Sequence, residues 1–198
     1  MDILIKNVLL NGKKTDVSIK NGVISSIGGF GSKDDKVIDG NGKAVIPSFV
    51  NMHTHSAMTL FRGYADDMAL MPWLEEKIWP LESKLDEKLV YKGSKLACLE
   101  MIKNGTTSFV DMYWHVSGTA KAVSEMGLRG YLSGAAFDLF DADKHEQQVE
   151  KCLQEIKSVR SFGSDKIVPV VGAHAIYTVS GELLKNMKGI ADENNLMY

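Results

Sequence analysis

No apolar run in this chain is long enough to cross a bilayer, and the opening MDILIKNVLL carries charges where a signal peptide needs its apolar core. A cytoplasmic protein is the expectation. A surplus of either charge is also missing: 23 Lys and Arg face 25 Asp and Glu. That balance leaves no basic footprint, so neither nucleic acid nor an anionic membrane is the expected partner. Cysteine is scarce, with only Cys98 and Cys152. Two thiols so far apart in helical patterns make neither a disulfide framework nor a metal motif, and are read as reduced, apolar packing residues. Histidine is scarce too, at five, yet two of the five stand one residue apart in IPSFVNMHTH.

What is present is a change of rhythm. Residues 1–46 read as a small β unit: DILIKNVLL, TDVSIK and VISSIG are rich in Ile and Val, punctuated by Asn-Gly at 11–12, 21–22 and 41–42. Asn-Gly between apolar runs is a strong hairpin signal because both residues tolerate positive φ. From residue 47 to 198 strands alternate with helices. SFVNMHTH, TTSFVDMYW, LRGYLSGAAF and IVPVVGAH read as strands, the first as a buried one. Helices are expected over 86–105 with Asp86 as N-cap and Gly105 as stop, then at GTAKAVSEMG, DADKHEQQVEKCLQEIKSVRSFG and SGELLKNMKGIADENN. LMY reads as the start of a fifth strand. Four β-α repeats imply parallel strands joined by helical crossovers, either an open sheet or the beginning of an eight-unit barrel.

In a strand, residues i and i+2 share a face, so His53 and His55 project together at the strand exit. Neutral imidazoles so placed can share one cation, and parallel α/β folds collect functional groups at that end. Two loop histidines that merely alternate are the bland alternative. His174 ends the fourth strand pattern, as ligand, substrate donor or acid–base group, or as a packed loop residue. Asp111 and His115 flank the exit of the second strand, as supports to a site or as turn and cap residues. His145, early in a polar helix, reads as a surface residue. The long segment 61–85 offers Met71, Trp73 and Trp79 as walls of an apolar pocket or as a packed lid. Its Glu82 is an acceptor for hydroxyl donors or part of a solvated charged face.

Together these residues resemble the metal-dependent amidohydrolase superfamily, nearest the 5-methylthioadenosine/S-adenosylhomocysteine deaminases and related chlorohydrolases. VIDGNGKAVIPSFVNMHTHSAMTLFRGYADD, WLEEKIWPLESKL, NGTTSFVDMYWH and VVGAHAIYTVS carry the resemblance, in the family's order and at similar separations. It implies the N-terminal half of a distorted (β/α)8, TIM-like barrel, preceded by part of a small β-sandwich. It implies His53 and His55 as ligands of one divalent metal, zinc or in relatives iron or manganese. Glu82 and His174 would contact a small-molecule purine nucleoside, with Asp111, His115 and Trp79 as supporting or pocket residues. The implied reaction is hydrolytic deamination of an adenine nucleoside such as 5-methylthioadenosine or S-adenosylhomocysteine by water activated on the metal. In the family the further metal ligands and the acid–base residues come after strand four, so no catalytic residue is expected within these residues. The expectation is a chain cut before strand five and inactive alone, whose open sheet edges admit a homo-oligomer. Guanine deamination, triazine dechlorination, and a non-catalytic metal-binding half-barrel are the alternatives. Two departures stand out: Ser48 replaces the usual glycine after proline, and LRGYLSGAAF lacks an arginine that some deaminases of this branch carry near Gly134.

Overall fold

A computed structural model describes residues 2–29 and 36–198, which fall into two compact units, Met1–Ser48 and Phe49–Tyr198. In the first unit β1 (Ile3–Leu10), β2 (Lys13–Lys20), β3 (Val23–Ile27) and β4 (Lys36–Asp39) form one sheet in the order β3-β2-β1-β4. Both hairpins turn where the sequence predicts. Asn11 and Gly12 sit at φ 48° and 78°, Asn21 and Gly22 at 51° and 77°, the paired positive values of a two-residue turn matched to strand twist. Strand β4 was not legible in the sequence. It runs parallel to β1, so no tight turn announces it. Leu4, Val8 and Val17 are the buried apolar residues of this unit among those described.

In the second unit β5 (Phe49–Thr54), β6 (Thr106–Met112), β7 (Arg129–Ser133) and β8 (Ile167–Pro169) form a parallel sheet in chain order. Between and after them come α1 (Glu87–Lys103), α2 (Val116–Met126), α3 (His145–Arg160) and α4 (Gly181–Glu193). The caps follow the sequence. The Asp86 carboxylate accepts the Leu89 N–H at 2.7 Å, and Gly127, at φ 77°, ends α2. The core is built where α1 to α3 cover the sheet, around Phe109, Leu132, Val123 and Cys98. A second cluster joins α3 to α4 through Ile156, Leu183 and Met187. Both cysteines are free and buried, and burial pushes the thiols up to about 12 for Cys98 and about 11 for Cys152, which makes them inert packing groups.

Three strand expectations need correction. The first strand of this unit is not buried: Phe49, Val50 and Met52 are 59%, 54% and 69% exposed. It is an edge strand, paired only with β6 among the described residues, so an apolar run does not by itself distinguish a covered strand from one awaiting cover. The third and fourth strands are shorter than their apolar runs. Beyond Pro169 the Val170 N–H still donates to the Leu132 carbonyl at 3.0 Å, and the later pairing is reduced to a bridge between Ala136 and Ala173. LMY is not a regular strand, although the Val171 N–H donates to the Met197 carbonyl at 2.9 Å.

Helices α1 and α2 meet at Gly118, where an added Cβ would lie 2.6 Å from the Glu87 carbonyl oxygen. That close approach requires glycine. Gly118→Ala is expected to lower stability by about 1–3 kcal/mol, read as a lower urea midpoint at unchanged slope.

Candidate active site

The exits of β5 and β6 are tied together by one carboxylate. Asp111 is buried beneath the turn that follows β5. It accepts the Thr54 hydroxyl at 2.7 Å, the Ser56 N–H at 2.6 Å and the Ser56 hydroxyl at 3.1 Å. Burial pushes the Asp111 carboxyl above its usual range, while the Thr54 and Ser56 donors and the nearby His55 pull the other way. Asp111 grips both neighbours of His55 and so sets where that ring stands.

The His53 and His55 rings lie edge to face with centroids 5.1 Å apart, as i and i+2 of a strand should. His55 Nδ1 is 2.7 Å from the Met112 carbonyl oxygen. A carbonyl only accepts, so Nδ1 carries the proton and Nε2 presents a lone pair. His174 arrives at the same tautomer by another route. Its Nδ1 is 2.8 Å from the Thr178 hydroxyl oxygen. That hydroxyl donates its one proton to the Ala175 carbonyl, so the imidazole must be the donor to it. Burial and the neighbouring His55 and His53 lower the His174 pKa, keeping the ring neutral at neutral pH.

His55, Glu82 and His174 line one cavity of about 530 Å³, walled by aromatic and aliphatic side chains. Glu82 ends a helical run made of Leu70–Pro72, Trp73–Ile78 with π-type bonding, and Trp79–Glu82. The Tyr113 hydroxyl donates to Glu82 Oε1 at 2.8 Å. Burial and the Glu82 carboxylate push the phenol far above its ordinary value, so it remains a donor. One Glu82 oxygen is therefore held by Tyr113. Phe137 stacks edge-on between Trp114, at 5.5 Å, and His174, at 6.2 Å, and Tyr177 packs on the far side of His174 at 6.1 Å. Among the described residues, no three His, Cys, Asp or Glu side chains stand close enough to hold a metal together.

Trp73 and Trp79 both line the cavity, and Trp73 is anchored by its indole N–H to the Ala65 carbonyl at 3.1 Å. Met71 does not line it. Leu70 does. His115 is absent from the cavity. The strand ends at Met112, and His115 turns through φ 48° into α2, so the alternation from Asp111 is broken and its Nε2 meets the Leu85 carbonyl at 3.0 Å. His145 is not a free surface residue either. Its ring lies between the buried Asp138, at 3.5 Å, and Asn186, at 3.0 Å. Tyr113, Phe137, Tyr177 and Thr178 were missed. Period-two spacing from Asp111 could have flagged Tyr113, but the others sit on loops with no periodic signal.

A second hollow of about 560 Å³ shares Glu82, Ser83 and Trp114 with the first and is lined further on by His115, Lys151 and Glu155. Glu155 on α3 lies 3.8 Å from the Lys151 ammonium, which sits 4.8 Å over the Trp114 ring. Burial pushes the Glu155 carboxyl up to about 7, against the pull of Lys151.

The amidohydrolase family model matches residues 44–198. The chain is 45% identical over 197 residues to the 5'-deoxyadenosine deaminase of Methanocaldococcus jannaschii, covering 98% of this chain and 47% of that protein. It is 48% identical over 198 residues to 5-methylthioadenosine/S-adenosylhomocysteine deaminase 1 of Archaeoglobus fulgidus, covering 98% and 46%. Among solved structures, a zinc-bound adenosine deaminase from Xanthomonas campestris superimposes with a TM-score of 0.86 at 26% identity, over 98% of this chain and 48% of that one. The chain thus spans about half the length of the curated relatives it matches.

The raised Glu155 carboxyl has a measurable consequence. Folding favours its protonated form, so its contribution to stability is complete below its ordinary value of 4.5 and is lost as pH climbs through about 7. The difference in unfolding free energy between the wild type and Glu155→Gln should shift by up to about 3 kcal/mol over that window. Parallel urea titrations at several pH values check it, and a flat difference would contradict it.

Proposed function

The chain belongs to the amidohydrolase family, and on that premise we propose that this protein is a metal-dependent hydrolytic deaminase of adenine nucleosides, acting in the cytoplasm. The observation that carries the reading is the convergence of His55, Glu82 and His174 on one aromatic-walled cavity, with the His55 and His174 Nδ1 atoms committed as donors. The similarity to 5'-deoxyadenosine and 5-methylthioadenosine/S-adenosylhomocysteine deaminases supports the same substrate class.

The donor set fits a divalent cation. His55 presents Nε2 because Met112 holds its other nitrogen, and His53 stands beside it at 5.1 Å between ring centroids. A zinc site of catalytic type takes three protein ligands, so His53 and His55 are part of a set completed by residues other than those described. When bound, the cation supplies Lewis-acid activation of water; zinc is the first candidate and iron or manganese the alternatives. The residues of this chain position the substrate. Glu82 accepts from the ribose hydroxyls, and Tyr113 holds that carboxylate in place. His174 Nε2 makes a polar contact to the nucleoside, while the aromatic walls cover the purine and exclude bulk water. Water adds at C6 of adenine, the C6–N bond breaks, and ammonia and hypoxanthine nucleoside are released. The residues described here are not sufficient for turnover.

The test uses the protein at the full length of its relatives, supplied with zinc and followed by the adenine-to-hypoxanthine absorbance change. Turnover of 5'-deoxyadenosine, methylthioadenosine or S-adenosylhomocysteine is expected. Silence on all three beside turnover of guanine or a chlorotriazine would overturn the reading. His55→Ala should lose bound zinc by elemental analysis together with activity. Glu82→Gln should raise KM for nucleosides about 10–100-fold, the value of a hydrogen bond to a charged group, with kcat changed far less.

A further inference from the structure

The wall of the second hollow contains a substitution of one group for another. At Gly134 there is no side chain, and a Cβ built there would fall inside the Glu155 carboxyl group. The space that a residue at 134 would fill is taken by a carboxyl reaching over from α3. Glu155 is not a stray surface acid, since its side chain is only 19% exposed. Among the described residues its charged contact is Lys151, at 3.8 Å. That ammonium also has the Trp114 ring beneath it. Two carboxylates, Glu82 and Glu155, therefore face this hollow against one ammonium that is already engaged.

Glu82 lies on the rim of both cavities. Resting on the proposed function, in which Glu82 grips the ribose, a ribose held at this shared wall has the second hollow beside it for its 5' substituent. We propose that Glu155 determines specificity for that substituent: its carboxyl, in the place left by Gly134, admits neutral, cationic or zwitterionic 5' groups and disfavours those ending in a carboxylate with no ammonium beside it. Glu155 is only 19% exposed, so its charge is less screened than that of a fully solvated carboxylate and repels a second anion beside it more strongly. The discrimination also depends on pH. Glu155 is pushed up to about 7, so its negative charge is present above neutrality and lost below. The other titratable or charged groups facing it are Lys151 on its own helix, Glu82 on the turn before α1, and His115 at the start of α2.

The experiment compares three 5'-alkylthio-5'-deoxyadenosines of equal chain length, ending in methyl, ammonium or carboxylate, as substrates of the full-length zinc enzyme. At pH 8.5 the carboxylate-ended compound is expected to show kcat/KM about 10-fold below the methyl-ended one, equivalent to about 1.4 kcal/mol. At pH 6 the gap should narrow to less than about threefold, and Glu155→Gln should narrow it at both pH values while sparing the methyl-ended substrate. An unfolded Glu155→Gln leaves the wild-type pH comparison as the deciding measurement. Equal rates for the three tails at pH 8.5, or a gap that neither pH nor Glu155→Gln changes, would overturn the inference and leave the proposed function standing. Failure to deaminate any of the three would overturn the proposed function itself.

Discussion

The site depends on a buried carboxylate that does not line the cavity. Asp111 takes three donors from the two residues flanking His55, and it comes from the neighbouring strand rather than from the turn it organises. An unpaired carboxylate at that depth would cost several kcal/mol. The hydroxyls of Thr54 and Ser56 and the Ser56 amide offset that cost only in one conformation of the turn. The same register that pairs Thr54 with Asp111 brings the Met112 carbonyl to His55 Nδ1. Strand pairing, turn geometry and imidazole tautomer are consequences of one contact set.

The polar groups of the cavity follow a common plan. His55, His174 and Glu82 each have one polar atom bound by the protein, to Met112, Thr178 and Tyr113 respectively. Such pairing sets orientation and protonation before any ligand arrives, which lowers the entropy lost on binding. The aromatic rings around them contribute area with few rotatable bonds. Phe137 and Tyr177 also pack on the His174 ring itself, so the apolar wall and the polar contact are mutually supporting.

Much of this could be anticipated wherever the signal is local. Asp86 and Gly127 mark helix ends because a cap is satisfied within a few residues, and the Asn-Gly turns bend where positive φ is cheap. The His53–His55 pair was legible for the same reason, since strand alternation alone puts them on one side. The errors are equally instructive. His115 was read as a support to the site or as a cap residue; it caps α2 in a left-handed conformation, with its ring on the Leu85 carbonyl and outside the cavity of His55. Met71 was offered by composition as a pocket wall or lid residue, whereas the side chain that lines the cavity is Leu70. The first strand of the second unit was taken as buried because its residues are apolar, yet its position at the sheet edge leaves it exposed.

The sequence by itself determined the β-to-β/α change of rhythm, the helix and hairpin boundaries, the histidine pair and, through its resemblance, the family. Those features rest on backbone preferences and periodicities that act over a few residues. Only the tertiary structure decided that Asp111 is a structural clamp, that Tyr113 holds Glu82, that Thr178 fixes the His174 tautomer, and that Glu155 fills the room left by Gly134. Each of these joins residues from different elements. Their energies come from burial and from the pairing of donors with acceptors, and both exist only once the sheet register and the helix packing have brought distant positions together.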